Sequence, residues 1–76
     1  MIYGFGFQNQ SLIYIENGSK TEEEAISKLE RFAVIHCKHG EQSCGEVYLV
    51  NEARSRVLRN YKIELRDGAV NLQNIK

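Results

Sequence analysis

The chain contains no proline and no tryptophan, which by itself decides nothing about its fold. Other shortages exclude more. The longest uninterrupted apolar runs, such as Leu12 to Ile15 and Phe32 to Ile35, are four residues long. A membrane-spanning helix needs roughly 20. No basic flank followed by an apolar stretch opens the sequence, so no signal peptide is expected. The expected compartment is the cytoplasm, and the two cysteines should stay reduced there. Ten basic and ten acidic residues cancel, which argues against indiscriminate binding to nucleic acid. There is no repeat, no low-complexity tract and no linker. No Walker loop, nucleophile elbow or metalloprotease motif occurs, and no paired carboxylates occupy an evident pocket. Neither an enzymatic activity nor a cofactor is expected.

What remains is a single domain of 76 residues, with little room for both a core and a deep cleft. Its 42% hydrophobic and 26% charged residues are those of a globular chain, not a disordered one. Met1 to Gln8 alternates Tyr3, Phe5 and Phe7 with Ile2, Gly4, Gly6 and Gln8, the period of a strand. Leu12 to Glu16 reads as a second strand, ended by Asn17-Gly18, and the two should form a hairpin.

Thr21-Glu22-Glu23-Glu24 is a helix start. The Thr21 hydroxyl can accept from the amide of Glu24, and Glu24 can reach back to the amide of Thr21. The three glutamates also suit the positive end of the helix dipole. Ala25, Ile26, Leu29, Phe32 and Ala33 recur at helical spacing and predict one buried stripe, which His36 and Cys37 extend. Lys38 and His39 suit the other end, and Gly40 is the expected left-handed stop.

Glu46 to Asn51 predicts a third strand, and Arg56 to Arg66 a fourth. Asp67-Gly68 is a strong two-residue hairpin turn. It sets Leu65 opposite Val70 and Ile63 opposite Leu72 on an apolar side, with Lys62 opposite Gln73 and Glu64 opposite Asn71 on a polar one. Asn51 to Leu58 has two readings: a hairpin turn entering the fourth strand, or a short helix capped by Asn51 with Ala53, Val57 and Leu58 as its stripe. The hairpin is adopted. The fold class is therefore α+β, an antiparallel sheet of about five strands in the order ββαβββ, with one helix across its apolar face.

Three constellations invite a function. Gly4-Phe5-Gly6-Phe7 matches four positions of an RNA-recognition strand, whose aromatics stack on bases. Tyr3 stands where that motif has a basic residue, and Gln8 and Gln10 replace its later apolar and aromatic residues. The preferred reading buries the rings beneath the helix and leaves Gly4 and Gly6 as a flat surface open to another backbone. His36, Cys37, His39 and Cys44 fall within nine residues, as zinc ligands can. All four come from one helix end and the turn after it, where a structural zinc site draws on two separated knuckles, so no metal is assigned. Arg54, Arg56, Arg59, Lys62 and Arg66 form a basic stretch. In a regular strand Arg54, Arg56, Lys62 and Arg66 share the polar side, helped by pairing with Glu46 or Glu52 of the third strand, while the side of Arg59 depends on any bulge. These five are the candidate partner-binding residues, since arginine is enriched at interface hot spots.

By its order of elements and its size the chain resembles several small phage-encoded inhibitors, including some anti-CRISPR proteins. The resemblance implies a compact module that binds a host protein or nucleoprotein complex through its surface, and implies no particular residues. The alternative is a small RNA- or DNA-binding domain using the basic strand 54–66 with Tyr48, Tyr61 or the N-terminal aromatics. A homodimer through exposed edge strands is compatible with both.

Overall fold

A computed structural model describes residues 1–50 and 55–75. Its elements run β1 (Ile2–Gln8), β2 (Ile13–Ser19), α1 (Glu22–His36), β3 (Ser43–Val50), β4 (Ser55–Arg66) and β5 (Ala69–Ile75). All five strands join one antiparallel sheet in the order β2-β1-β3-β4-β5. The helix lies across one face. The ββαβββ arrangement is thus the expected α+β fold.

Burial drives this assembly. Phe5 and Phe7 of β1 point at the helix, as do Val47 of β3 and Ile63 of β4. Ala25, Leu29 and Ala33 meet them from α1 and are fully buried. Each large side chain removed from water here contributes roughly 1.5–3 kcal/mol before entropy is counted. Phe32 completes the layer. Its ring stacks on Tyr14 at 4.4 Å between centroids and meets Phe7 edge-on at 5.3 Å.

The helix begins as its first turn predicts. Thr21 has extended backbone, and its hydroxyl accepts from the amide of Glu24 at 3.1 Å. The reciprocal bond differs: the Glu24 carboxylate accepts from the amide of Lys20 at 2.7 Å, not that of Thr21. The helix stops earlier than Gly40. Cys37 is already extended and buried, and its amide closes the last turn on the carbonyl of Ala33. Gly40, with φ 80°, serves the turn that follows.

Two strand ends also move. β2 continues through Asn17-Gly18 to Ser19, because a register irregularity opposite Tyr3 and Gly4 absorbs the turn-like glycine. β3 starts at Ser43, three residues before the expected Glu46. The hydrophobic pattern hid this extension, since Gly45 offers no side chain to read. Asp67-Gly68 forms the expected turn, with φ 51° and 79°. All four predicted β4–β5 pairs are present. Ser55 to Leu58 belongs to β4, not to a helix; Asn51 to Arg54, the rest of that alternative, lies outside the described residues.

Candidate binding face

Residues directly opposite one another in adjacent strands share a face of the sheet. Phe5 pairs with Val47, so their side is the helix side. The other side is bare and reads out in rows. Ile15, Gly6, Glu46, Asn60 and Ile75 form one row across all five strands. Ile13, Gln8, Cys44, Lys62 and Gln73 form the next. Asn17, Gly4, Tyr48 and Val57 form a third.

A shallow groove of about 330 Å³ runs over the first two rows, between Ile13 and Ile15 at one end and Ile75 at the other. These isoleucines are 70%, 62% and 45% exposed, a concentration of apolar surface that a solvated sheet face does not require. Gly6 makes the floor low. A methyl built there would stand 3.4 Å from Cγ of Glu46 and 3.8 Å from Cγ1 of Ile15. A polar recess around Gln8, Gln10, Gln42 and Lys62 adjoins the groove.

Gly4 behaves differently from Gly6, against the expectation that both would lie open to a neighbouring backbone. The Tyr48 ring covers it, and the Tyr48 hydroxyl donates to Oδ1 of Asn17 at 2.7 Å. An aromatic side chain from the neighbouring strand thus shields the bare glycine. Tyr48 is 6% exposed as a result, and burial pushes its hydroxyl above the ordinary pKa of 10.0.

The RNA-stacking arrangement is absent in this geometry. Phe5 and Phe7 are 2% exposed beneath the helix. Tyr61 is buried, paired with Gly45 on the helix side. Among the described residues Tyr48 is the one aromatic side chain on the open face, and it is committed to Gly4.

The basic residues do not form one stripe. A bulge between Val47 and Tyr48 pairs Val47 with Arg59 but Tyr48 with Val57, leaving Leu58 as the extra residue. Every residue before the bulge therefore changes sides relative to a regular strand. Arg56, opposite Leu49, and Arg59, opposite Val47, lie on the helix side. Lys62 and Arg66 lie on the open side. Arg54 is outside the described residues. Partners differ from expectation too. Arg59 meets Glu22 at the helix start at 3.1 Å, which raises the pKa of its guanidinium. Lys62 and Arg66 meet Glu64 at 3.2 Å and 3.0 Å. The hydrogen bond from Lys62, then the charge of Arg66, hold the Glu64 carboxyl below its ordinary range. Glu46 faces Asn60 rather than a cation, and Glu52 lies outside the described residues.

No protein-family model, curated protein or solved structure matches the chain.

The zinc-like constellation is also dispersed. Cys37 is buried on the helix side, its sulfur 3.7 Å from the Ser43 hydroxyl. Cys44, the residue after Ser43, points to the opposite face and is exposed. His36 lies against Phe32, ring centroids 4.2 Å apart. Among the described residues no group of three or more His, Cys, Asp or Glu side chains converges as a metal site would require.

Sequence reasoning missed the isoleucine groove. Its signal was present in the alternation Ile13-Tyr14-Ile15-Glu16, which sends both isoleucines away from Tyr14. What the alternation could not supply was the register with β1, which decides that the Tyr14 side is the core.

Proposed function

We propose that the chain is a non-enzymatic protein-binding module, an inhibitor of the kind carried by phages and mobile elements, which engages a host complex through the open face of its sheet. The observation that carries this reading is the groove floored by Gly6, with exposed Ile13 and Ile15 at one end and Ile75 at the other. An apolar side chain of a protein partner fits such a groove; a phosphate backbone does not. Charge on this face is matched rather than uniformly basic. Lys62 and Arg66 share Glu64, and Glu46 stands in the floor. The partner surface is therefore an apolar protrusion in a mixed-charge surround, with Lys62 and Arg66 supplying orientation more than affinity. Arg56 and Arg59 lie on the helix side and reach the same partner only if it wraps round from the open face to that side. The inhibitory role rests on the resemblance in element order and size, and the cytoplasm is where such a module would meet its target.

The test is capture from bacterial lysate by the tagged chain, with and without nuclease. Wild type is compared with Ile13→Glu/Ile15→Glu and with Arg56→Glu/Lys62→Glu, each confirmed as folded by circular dichroism. The expected result is a protein partner that survives nuclease and is lost with the isoleucine pair. Binding only in untreated lysate, weakening log-linearly with salt, replaces this reading with a nucleic-acid one. A partner retained by the isoleucine pair removes the groove, and one retained by the Arg56 and Lys62 reversal removes the basic residues.

A further inference from the structure

The sheet ends in two edge strands, β2 and β5. An edge presents unpaired backbone donors and acceptors, and proteins blunt such edges with charge, proline, bulges or twist. β2 is blunted: it carries Glu16, a register irregularity, and Gly18 at φ 123°. β5 is not. Ala69-Val70-Asn71-Leu72-Gln73-Asn74-Ile75 contains no charged residue, no glycine and no proline. Its pairing with β4 runs unbroken from Arg66 opposite Ala69 to Asn60 opposite Ile75.

The strand is also balanced about Leu72. If a second β5 lies antiparallel to it with Leu72 opposite Leu72, then Asn71 faces Gln73, amide to amide. The small Ala69 faces the large Ile75, and Val70 faces Asn74. No charge meets a like charge. Such self-complementarity is what a two-fold interface requires, because each residue must suit both its own position and its mate's. Opposed residues share a face, so Leu72 and Val70 meet their counterparts on the helix side. Asn71, Gln73 and Ile75 meet theirs on the open side.

We infer that β5 is a dimerisation strand, pairing antiparallel with β5 of a second copy about Leu72 and joining two sheets into one of ten strands. The two-fold axis crosses the sheet, so both helices lie on one side and both isoleucine grooves on the other. Ile75, which ends one groove, then sits beside Ala69 of the second copy. The inference stands apart from the identity of any host partner.

Sedimentation equilibrium over a wide dilution series tests it. The expected mass at high concentration is twice 8.7 kDa. Two double variants at the exposed positions Asn71 and Gln73 fix the register. Asn71→Lys/Gln73→Lys sets lysine opposite lysine twice and should raise the dissociation constant at least about tenfold. Asn71→Lys/Gln73→Glu sets lysine opposite glutamate and should stay dimeric, dissociating as salt rises. Circular dichroism establishes that each variant is folded. A wild type that stays monomeric, as it would if this edge serves another protein's strand, overturns the inference. So does a dimer indifferent to both variants, or one broken equally by both.

Discussion

The methyl groups of Leu29 stand over the bare α-carbon of Gly45. A methyl built on Gly45 would lie 2.9 Å and 3.0 Å from them and 3.0 Å from Cδ1 of Ile63. Leu29 and Ile63 are both fully buried, so neither can swing aside into solvent. Gly45 is therefore the hollow into which α1 is keyed. Gly45→Ala should destabilise the fold by about 1–3 kcal/mol, the usual cost of overpacking, despite alanine's better fit to a strand. Gly45→Val should cost more. Chemical denaturation measures both. Adding Leu29→Ala to Gly45→Ala should cost less than the sum of the two single changes, because one opens the space that the other fills.

Gly4 is closed by a harder neighbour. A methyl there would meet the carbonyl oxygen of Glu16 at 2.8 Å, Oδ1 of Asn17 at 2.6 Å and the Tyr48 ring at 2.8 Å. The Glu16 carbonyl is backbone in the β1–β2 ladder and cannot yield without breaking pairing. Gly4→Ala should thus be worse tolerated than Gly45→Ala, and hydrogen exchange should show β2 loosened first. Tyr48→Phe keeps the ring on Gly4 and removes only the bond to Asn17. It should cost about 1 kcal/mol in the same denaturation experiment.

These contacts mark how much was legible beforehand. The capped helix, the Asp67-Gly68 hairpin and its register follow from local signals: a threonine before three glutamates, and a turn that fixes pairing on both sides. The aromatic face of β1 was legible because Tyr3, Phe5 and Phe7 alternate. The flat surface at Gly6 was legible in the same alternation; the roles of Gly4 and Gly45 were not, since a missing side chain announces no neighbour. The basic stretch was misread for one reason. A single extra residue, Leu58, reverses the parity of everything before it, and no property of Leu58 marks it as a bulge. The isoleucine groove stayed hidden because it is assembled from all five strands, whose mutual register is a tertiary fact.

The tyrosines set an alkaline limit. Tyr48 and Tyr61 are raised above 10.0 chiefly by burial, with Arg59 partly opposing the shift at Tyr61. Tyr14 is raised chiefly by its hydrogen bond to Glu16. A group whose folded pKa lies above its unfolded value stabilises the fold fully below the unfolded value, and that contribution is lost as pH rises through the folded one. The denaturation midpoint should therefore fall above about pH 10, in step with tyrosinate absorbance. Tyr48→Phe should remove part of that fall. In acid the sign reverses for Glu64, whose lowered pKa gives a contribution lost as pH drops below 4.5 and through the lowered value. That loss should be slight, because the group is solvent-accessible and its ion pairs are screened. A midpoint unchanged through the alkaline range would contradict the burial of Tyr48 and Tyr61.

Gly6 separates stability from binding. It sits on the same strand as Gly4, yet the nearest atoms to a methyl there would be in the side chains of Glu46 and Ile15, at 3.4 Å and beyond. Both point to the open face and can shift. Gly6→Ala should leave the unfolding free energy within about 0.5 kcal/mol of wild type or raise it slightly. The methyl would nonetheless occupy the groove floor between Ile15 and Ile75. Overpacking a seated side chain by one methyl costs of order 1–3 kcal/mol, so affinity for a partner docked there should drop roughly tenfold or more. Calorimetric titration of the captured partner reads this directly. Unimpaired binding by Gly6→Ala would mean that the partner contacts the rims alone, and the groove would no longer be its seat.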